Sequence, residues 1–166
     1  MPRVSRFVTE FTTPDGKEWE AAFTHRHGRE EGCGASRRIV EPILHTIESG
    51  PRAGRVVRVQ HVTTVKLRHK GTPIFVRGTA ACSLRDYYRW QKGIHYALQL
   101  ALEKAGHCKL GKDAKGRVIV VERSGAYNDV VEAFWHEVQV AQHNRLGLPE
   151  RTPPQNRNGT YHTGAD

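Results

Sequence analysis

The chain has 166 residues, of which 37% are hydrophobic, and carries 26 Lys and Arg residues against 17 Asp and Glu residues. This length suits one globular domain whose hydrophobic core needs neither a metal nor a disulfide for stability. The three cysteines cannot all pair, no apolar run is long enough to span a membrane, and the N-terminus lacks a signal-peptide pattern. We therefore expect free thiols and a cytoplasmic location.

The positive charge is concentrated in one part of the chain. Residues 51–100 hold ten Lys and Arg residues against a single Asp, whereas the segments on either side are close to neutral. Such an asymmetry predicts a positive field beside one part of the folded surface. It favours an anionic partner, with a merely solvated basic face as the alternative.

Two β-strands are predicted near the N-terminus. Residues 3–11 alternate in polarity, a second strand follows over about residues 17–24, and the Thr-Pro-Asp-Gly sequence between them is typical of a hairpin turn. Four aromatic residues of these strands are expected in the core: Phe7, Phe11, Trp19 and Phe23.

A glycine-rich polar loop is predicted next. His25, His27 and Cys33 could begin a metal site, but their spacing matches no standard zinc template, and a plain loop is the alternative.

A short helix is predicted over residues 37–48, with Ser36 as its cap, because apolar residues recur there at helical spacing. Pro42 is compatible with this helix only close to its start.

A strand, a KGTP turn, a second strand and a long helix are predicted in the basic segment. Residues 55–69 are rich in Val and Thr and alternate in polarity, and residues 74–82 form the second strand. Ser83 is the predicted N-cap of the helix, and Gly106 is its predicted C-terminal stop. The first strand is predicted to present Arg58, Gln60, Thr64, Lys66 and Arg68 on one face and Val57, Val59, Val65 and Leu67 on the other.

The rest of the chain is predicted to contain one more strand and one more helix. Residues 107–116 are expected to be an exposed turn region, residues 117–123 a strand, and residues 127–145 a second long helix closed by Gly147.

The predicted fold class is therefore α+β, an antiparallel sheet with two long helices packed on one face. The predicted domain covers residues 1–147. Residues 148–166 are polar and rich in Pro, Gly and Asn, which predicts a disordered C-terminal tail.

The predicted central helix combines cations with aromatic residues. Its basic stripe recurs at steps of three and four residues, which suits phosphate contacts, and its tyrosines suit stacking on a base. We expect phosphate contacts from Arg85, Arg89 and Lys92, a wider positive field from Lys66, Arg68 and Arg77, and base stacking by Tyr88 or Tyr96.

The sequence contains only weak candidates for catalysis. Cys82 precedes a predicted helix N-terminus, but no histidine is tied to it by spacing, and a buried strand cysteine is the alternative. A row of Glu132, His136, Gln139 and His143 could hold a metal, yet it lacks the zinc-protease pattern, and a solvated helix face is the alternative. No paired carboxylates, dinucleotide fingerprint or phosphate-binding loop occurs in the sequence. We expect no enzymatic activity, no cofactor and no resident metal.

One stretch of about 21 residues resembles a known family. Its matching positions are the Cys-Ser-x-x-Asp-x-aromatic run at residues 82–88, then Gly93, Ala97-Leu98 and Ala101-Leu102. This pattern is similar to the strand-to-helix segment of the phage-encoded anti-Thoeris sponge proteins. The resemblance implies a non-enzymatic oligomer that sequesters signals of the cyclic ADP-ribose type and blunts a bacterial immune system. Ile94 stands where that family favours a phosphate-binding Arg, and Arg85 and Arg89 precede it by one or more turns.

We therefore expect a non-catalytic, phage-type protein of the host cytoplasm that binds an anionic nucleotide signal or nucleic acid through its basic surface. A double-stranded nucleic-acid binder and a protein inhibitor of a host nucleic-acid-handling or immune complex are the alternatives. A homo-oligomer is compatible with each of them.

Overall fold

The computed structural model describes residues 3–48, 51–85 and 89–146, in which an antiparallel sheet is covered on one face by two helices. This arrangement confirms the predicted α+β fold class. The extent of the domain stays a prediction, and the tail predicted for residues 148–166 lies outside the described residues.

The described residues include nine strands, two α-helices and one turn of 3-10 helix at Gly34–Ser36. The strands are β1 (Arg3–Thr12), β2 (Glu18–His27), β3 (Arg29–Glu31), β4 (Arg38–Glu41), β5 (Ile43–Thr46), β6 (Val56–His69), β7 (Val76–Ser83), β8 (Cys108–Lys112) and β9 (Val118–Arg123). The helices are α1 (Trp90–Lys104) and α2 (Tyr127–Leu146).

Strand β6 is the centre of the main sheet. Its Thr63 is in register with His25 of β2 on one side and with Ala80 of β7 on the other, and β1 extends the sheet beyond β2. β5 pairs with the first four residues of β6, before the pairing with β2 begins. β6 accommodates three partners because it is 14 residues long. β3 and β4 form one small separate hairpin, and β8 and β9 form another.

The main core lies between this sheet and the two helices. Alternate residues of β2 and β6 face the helices, as the predicted period of two requires, and both helices contribute fully buried side chains to the same cluster. Its members include Phe11, Trp19, Phe23, Val65, Leu67, Ile94, Leu98, Leu102, Val130 and Phe134. The predicted core aromatics are thus confirmed, with Phe7 half-buried against the same cluster.

Helix α1 lies close against β7 because Gly78 has no side chain. A Cβ at this position would overlap the carbonyl oxygen of Ala97 and lie 2.7 Å from the amide nitrogen of Ala101. The direct backbone approach explains why a strand glycine, normally unfavourable, occupies the centre of this interface.

The helix predicted over residues 37–48 is wrong, because the structure contains β4 and β5 there. Ser36 ends the 3-10 turn and does not cap an α-helix. The segment is rich in Ile and Val, which suit a pleated surface, and Pro42 separates the two strands where no ladder donor is needed. Pairing of β5 with β6 outweighed the helical spacing of the apolar residues.

The predicted start of the central helix is also wrong. Ser83 does not cap it, because Ser83 is the last residue of β7, pairs with Val59 and accepts a 2.7 Å hydrogen bond from Gln60 Nε2 on its carbonyl oxygen. The helix begins at Trp90, seven residues after Ser83. The predicted end is confirmed, since the cap residue Ala105 is followed by Gly106 at φ +86°.

An irregularity in β6 changes the predicted side-chain faces. The register between β6 and β7 shifts between Val59 and His61, so Gln60 is a buried bulge residue. Val59 consequently joins Ile43 and Val62 in a second apolar cluster instead of sharing a face with Val65. The predicted assignment of side chains to the two faces therefore holds only for the residues after the bulge.

The C-terminal part follows the prediction apart from one missed strand. The region predicted as an exposed turn contains β8, which pairs with β9 through a tight turn held by Asp113. α2 extends one residue beyond the predicted limit, and Gly147 lies outside the described residues. Among the helices described, none is long and apolar enough to cross a membrane.

Candidate anion-binding surface

The predicted phosphate-binding residues lie on two different sides of the sheet. Lys66 and Arg77 are cross-strand partners of β6 and β7, next to Val65 and Gly78, which face α1. Because strand side chains alternate, Lys66 and Arg77 lie on the opposite face. We call this surface, opposite α1 and α2, the open sheet face. The three cations from which a wider positive field is predicted, Lys66, Arg68 and Arg77, therefore lie across the sheet from the α1 stripe.

The open sheet face carries both paired and unpaired cations. Arg68 Nη2 donates to Glu20 Oε2 at 2.7 Å and its guanidinium lies 4.7 Å from the centre of the Phe75 ring, while Arg77 Nη2 donates to Glu48 Oε1 at 2.9 Å. Lys66 is exposed and has no acidic partner within ion-pair distance among the residues that the structure describes.

Arg26 of β2 adds a further cation to this face. It is exposed, aligned with Val62 of β6, and likewise without an acidic partner in the described part of the chain. Beside it runs a row of threonines, in which Thr64 is in register with Thr24 and with Thr79, and the Thr64 and Thr79 hydroxyl oxygens are 3.5 Å apart. Cations next to hydroxyl groups form a surface that can contact phosphate oxygens.

The remaining predicted cations lie near the start of α1. Arg85 is exposed in the turn after β7, Arg89 is exposed immediately before the helix, and Lys92 is half-buried in its first turn. Tyr96 is half-buried one turn further on, so Lys92 and Tyr96 share a helical stripe at the predicted spacing, whereas Arg89 is the extended N-cap residue. Tyr88 lies outside the described residues.

A group of histidines lies beneath α1, on the other side of the sheet. His25 Nδ1 is 2.9 Å from Thr63 Oγ1, and the rings of His27 and His61 are 4.4 Å apart. Burial, and secondarily the charge of His27, lowers the pKa of His25 to about 4. Trp135 Nε1 donates to His95 Nδ1 at 3.4 Å deeper in the same interface. Sequence analysis missed this cluster, although His25 and His61 have the same strand parity as the core residues Phe23 and Val65.

The structure separates the residues of the possible metal site near the N-terminus. His25 and His27 belong to β2, whereas Cys33 is exposed beyond β3. The plain-loop alternative is wrong for the two histidines because they pair with β6. On α2, Glu132 is exposed and His136 is half-buried. Within the described ranges, no three His, Cys, Asp or Glu side chains are placed to hold a metal ion.

The cysteines differ in their surroundings. Cys82 is half-buried and in register with His61 across the β6–β7 pair, a neighbour that sequence spacing did not reveal. Cys108 is buried, and desolvation, followed by the charge of Glu103, raises the pKa of its thiol to about 11. Cys108 is therefore protonated at neutral pH and unsuited to nucleophilic chemistry.

No protein-family model, curated protein or solved structure matches this chain. What the fold and surface define is an α+β protein whose sheet is covered by helices on one face and presents unpaired cations on the other.

Proposed function

We propose that the protein binds an anionic nucleotide or nucleic acid without catalysis, through the basic surface formed by β6, β7 and their neighbours, and thereby sequesters it. The observation that supports this most is the open sheet face, on which Lys66 and Arg26 are exposed cations without acidic partners among the described residues. The predicted residues Arg85, Arg89 and Lys92 form a second basic surface at the start of α1.

The charge balance on the open sheet face favours phosphate as the ligand group. The two carboxylates beside Arg68 and Arg77, Glu20 and Glu48, are already paired with them. A phosphate approaching Lys66 therefore meets attraction from an unpaired cation and from two partly neutralised ones. The side chains are exposed, so this attraction is expected to weaken as salt screens it.

The shape of the surface favours binding over chemistry. A strand face presents side chains from neighbouring strands about 5 Å apart, which allows several cations and the threonine row to contact one ligand. Side chains beside Lys66 and Arg77 on this face are small or hydroxylated, such as Ala22, Thr64 and Thr79. They offer hydrogen bonds and space, but neither a general base nor a nucleophile.

Two double variants test which basic surface binds. The probe is a short fluorescein-labelled single-stranded oligodeoxynucleotide, followed by fluorescence anisotropy at low salt. We expect Arg26→Glu/Lys66→Glu to weaken binding by about tenfold or more, since each reversal replaces attraction by repulsion. Arg89→Glu/Lys92→Glu reports the contribution of the α1 stripe in the same assay.

The control variant is Lys109→Glu/Lys112→Glu, which changes the net charge equally on exposed residues of β8. Equal weakening in the control would mean that only the overall charge matters and would contradict a binding surface on the sheet. Undiminished binding in both test variants would contradict the whole assignment.

The ligand that accompanies the purified protein decides between the classes of partner. A raised ratio of absorbance at 260 to 280 nm, with a small nucleotide released by heat, would support sequestration of a signal. Nuclease-sensitive material would support a nucleic-acid binder. A protein without affinity for either, which nevertheless forms a stoichiometric complex with a host protein, would be an inhibitor.

A further inference from the structure

A groove of about 560 Å³ lies where the β5–β6 hairpin meets β7 and the end of α1. Val57 and Val59 of β6, Ala81 of β7 and Leu100 of α1 form its apolar walls. Gly78 and Ala80 of β7 face α1. Because strand side chains alternate, Ala81 lies on the open sheet face. The groove thus lies at the edge of the open sheet face, where β7 meets α1.

The bulge of β6 creates this groove. By shifting the register at Gln60, it turns Val59 toward Ile43 and Val62 and away from the main core. The loop after β5 then reaches β7, where Glu48 pairs with Arg77 at 2.9 Å. On the other side, Lys104 Nζ donates to the carbonyl oxygen of Arg77 at 2.7 Å and draws the end of α1 to the rim.

The polar lining of the groove is positively charged. It includes Arg52, Arg58 and Lys104 against a single carboxylate, Glu48, which is already paired with Arg77. In the part of the chain that the structure describes, Arg52 and Arg58 have no acidic partner within ion-pair distance. A charged surface of this kind beside apolar walls is complementary to an anion that carries an apolar body.

His45 adds a neutral polar group to the lining. Burial lowers the pKa of His45, the carboxylate of Glu48 opposes this change, and the charge of Arg26 adds to it. The imidazole is therefore mainly uncharged at neutral pH and can both donate and accept a hydrogen bond.

We propose that this groove binds a small phosphorylated molecule with a flat ring, of the size of a mononucleotide. Arg52 and Lys104 contact the phosphate, and the ring lies against Val57, Val59 and Leu100, with His45 available to its polar edge. The volume of the groove falls in the range of roughly 300–1,000 Å³ that is usual for small-molecule sites. This proposal rests on the proposed function, and it assigns the binding of a small nucleotide to this groove.

The test uses the full chain and adenosine 5′-monophosphate as the probe, measured by isothermal titration calorimetry. We expect Ala81→Trp to abolish binding, because the indole fills the groove, and Arg52→Glu to weaken it by about tenfold or more, because a charge-assisted contact is lost. Val8→Trp is the matched control, since Val8 is half-exposed on the open sheet face but separated from β7 by β2 and β6. It is expected to bind like the original chain.

Failure of this inference is distinguishable from failure of the proposed function. Absence of AMP binding, or AMP binding that survives Ala81→Trp with the thermal transition preserved, would overturn the groove assignment. The oligonucleotide assay with Arg26→Glu/Lys66→Glu would still report on the open sheet face. Inorganic phosphate that binds as tightly as AMP would overturn the role of the apolar walls. An original chain that binds neither AMP nor the oligonucleotide would overturn both proposals.

Discussion

At the scale of single residues, burial of His25 under α1 is expected to make the stability of the protein depend on pH. The pKa of His25 is lowered from 6.5 to about 4 in the folded protein, mainly by burial. Between these values the unfolded chain binds more protons, so the free energy of unfolding falls as the pH falls. The contribution of neutral His25 to the free energy of unfolding is fully present above about pH 6.5 and is fully lost below about pH 4.

We expect His25→Gln to reduce this acid sensitivity. Between neutral pH and about pH 5, the loss attributable to His25 is of the order of 2 kcal/mol. Urea unfolding at neutral pH and at about pH 5 measures it, because stability depends on protons bound by either state. Thr24→Ser, on the opposite face of the same strand and without a titratable group, is the control and should keep the original pH dependence. An unchanged pH dependence in His25→Gln would show that groups other than His25 account for it.

At the scale of elements, the close approach of α1 to β7 depends on Gly78. We expect Gly78→Ala to lower the free energy of unfolding by about 1–3 kcal/mol or more, because the added Cβ must push α1 away from the sheet. Chemical denaturation measures the change. Ala81→Ser, on the other face of the same strand, should stay within about 0.5 kcal/mol of the original chain. Equal stability of Gly78→Ala and the original chain would mean that α1 does not lie as close as described.

Elements with one strong periodicity were predictable from sequence, whereas those set by distant contacts were not. The first hairpin and α2 follow directly from their patterns, and Gly106 marks the end of α1 as predicted. Residues 37–48 have apolar spacing that fits a helix, but the free edge of β6 pairs with them as β5. A local pattern contains no information about such an edge, nor about a bulge that reverses strand parity at Gln60.

The candidate site was predictable in part for the same reason. Counting charges locates the basic segment correctly, because most of its cations are exposed. Assigning them to one surface was not possible, since the side of the sheet on which α1 packs is decided by Gly78 and the core residues around Val65. Lys66 and Arg77 therefore lie across the sheet from Arg89.

At the scale of the whole molecule, the charge distribution predicts a measurable salt dependence. Binding of a single-stranded oligodeoxynucleotide by about three cations should decrease with salt with a log–log slope near −2. Anisotropy titrations over a series of salt concentrations measure this slope. Arg26→Glu/Lys66→Glu should make it shallower, and Lys109→Glu/Lys112→Glu should leave it unchanged. A slope near zero in the original chain would indicate that phosphates make no contact.

The ion pair between Glu48 and Arg77 has a consequence for selectivity. The Glu48 carboxylate lines the groove and neutralises the nearest guanidinium at 2.9 Å. An anion that approaches Arg77 has to compete with the Glu48 carboxylate, which belongs to the same chain and already contacts that guanidinium. We expect a doubly charged phosphate to compete with this ion pair better than a monovalent anion does, because it can also contact Arg52 and Lys104. Glu48 is therefore an intramolecular counter-ion of Arg77. We expect a ligand to bind at Arg77 only where its affinity for this guanidinium exceeds that of Glu48.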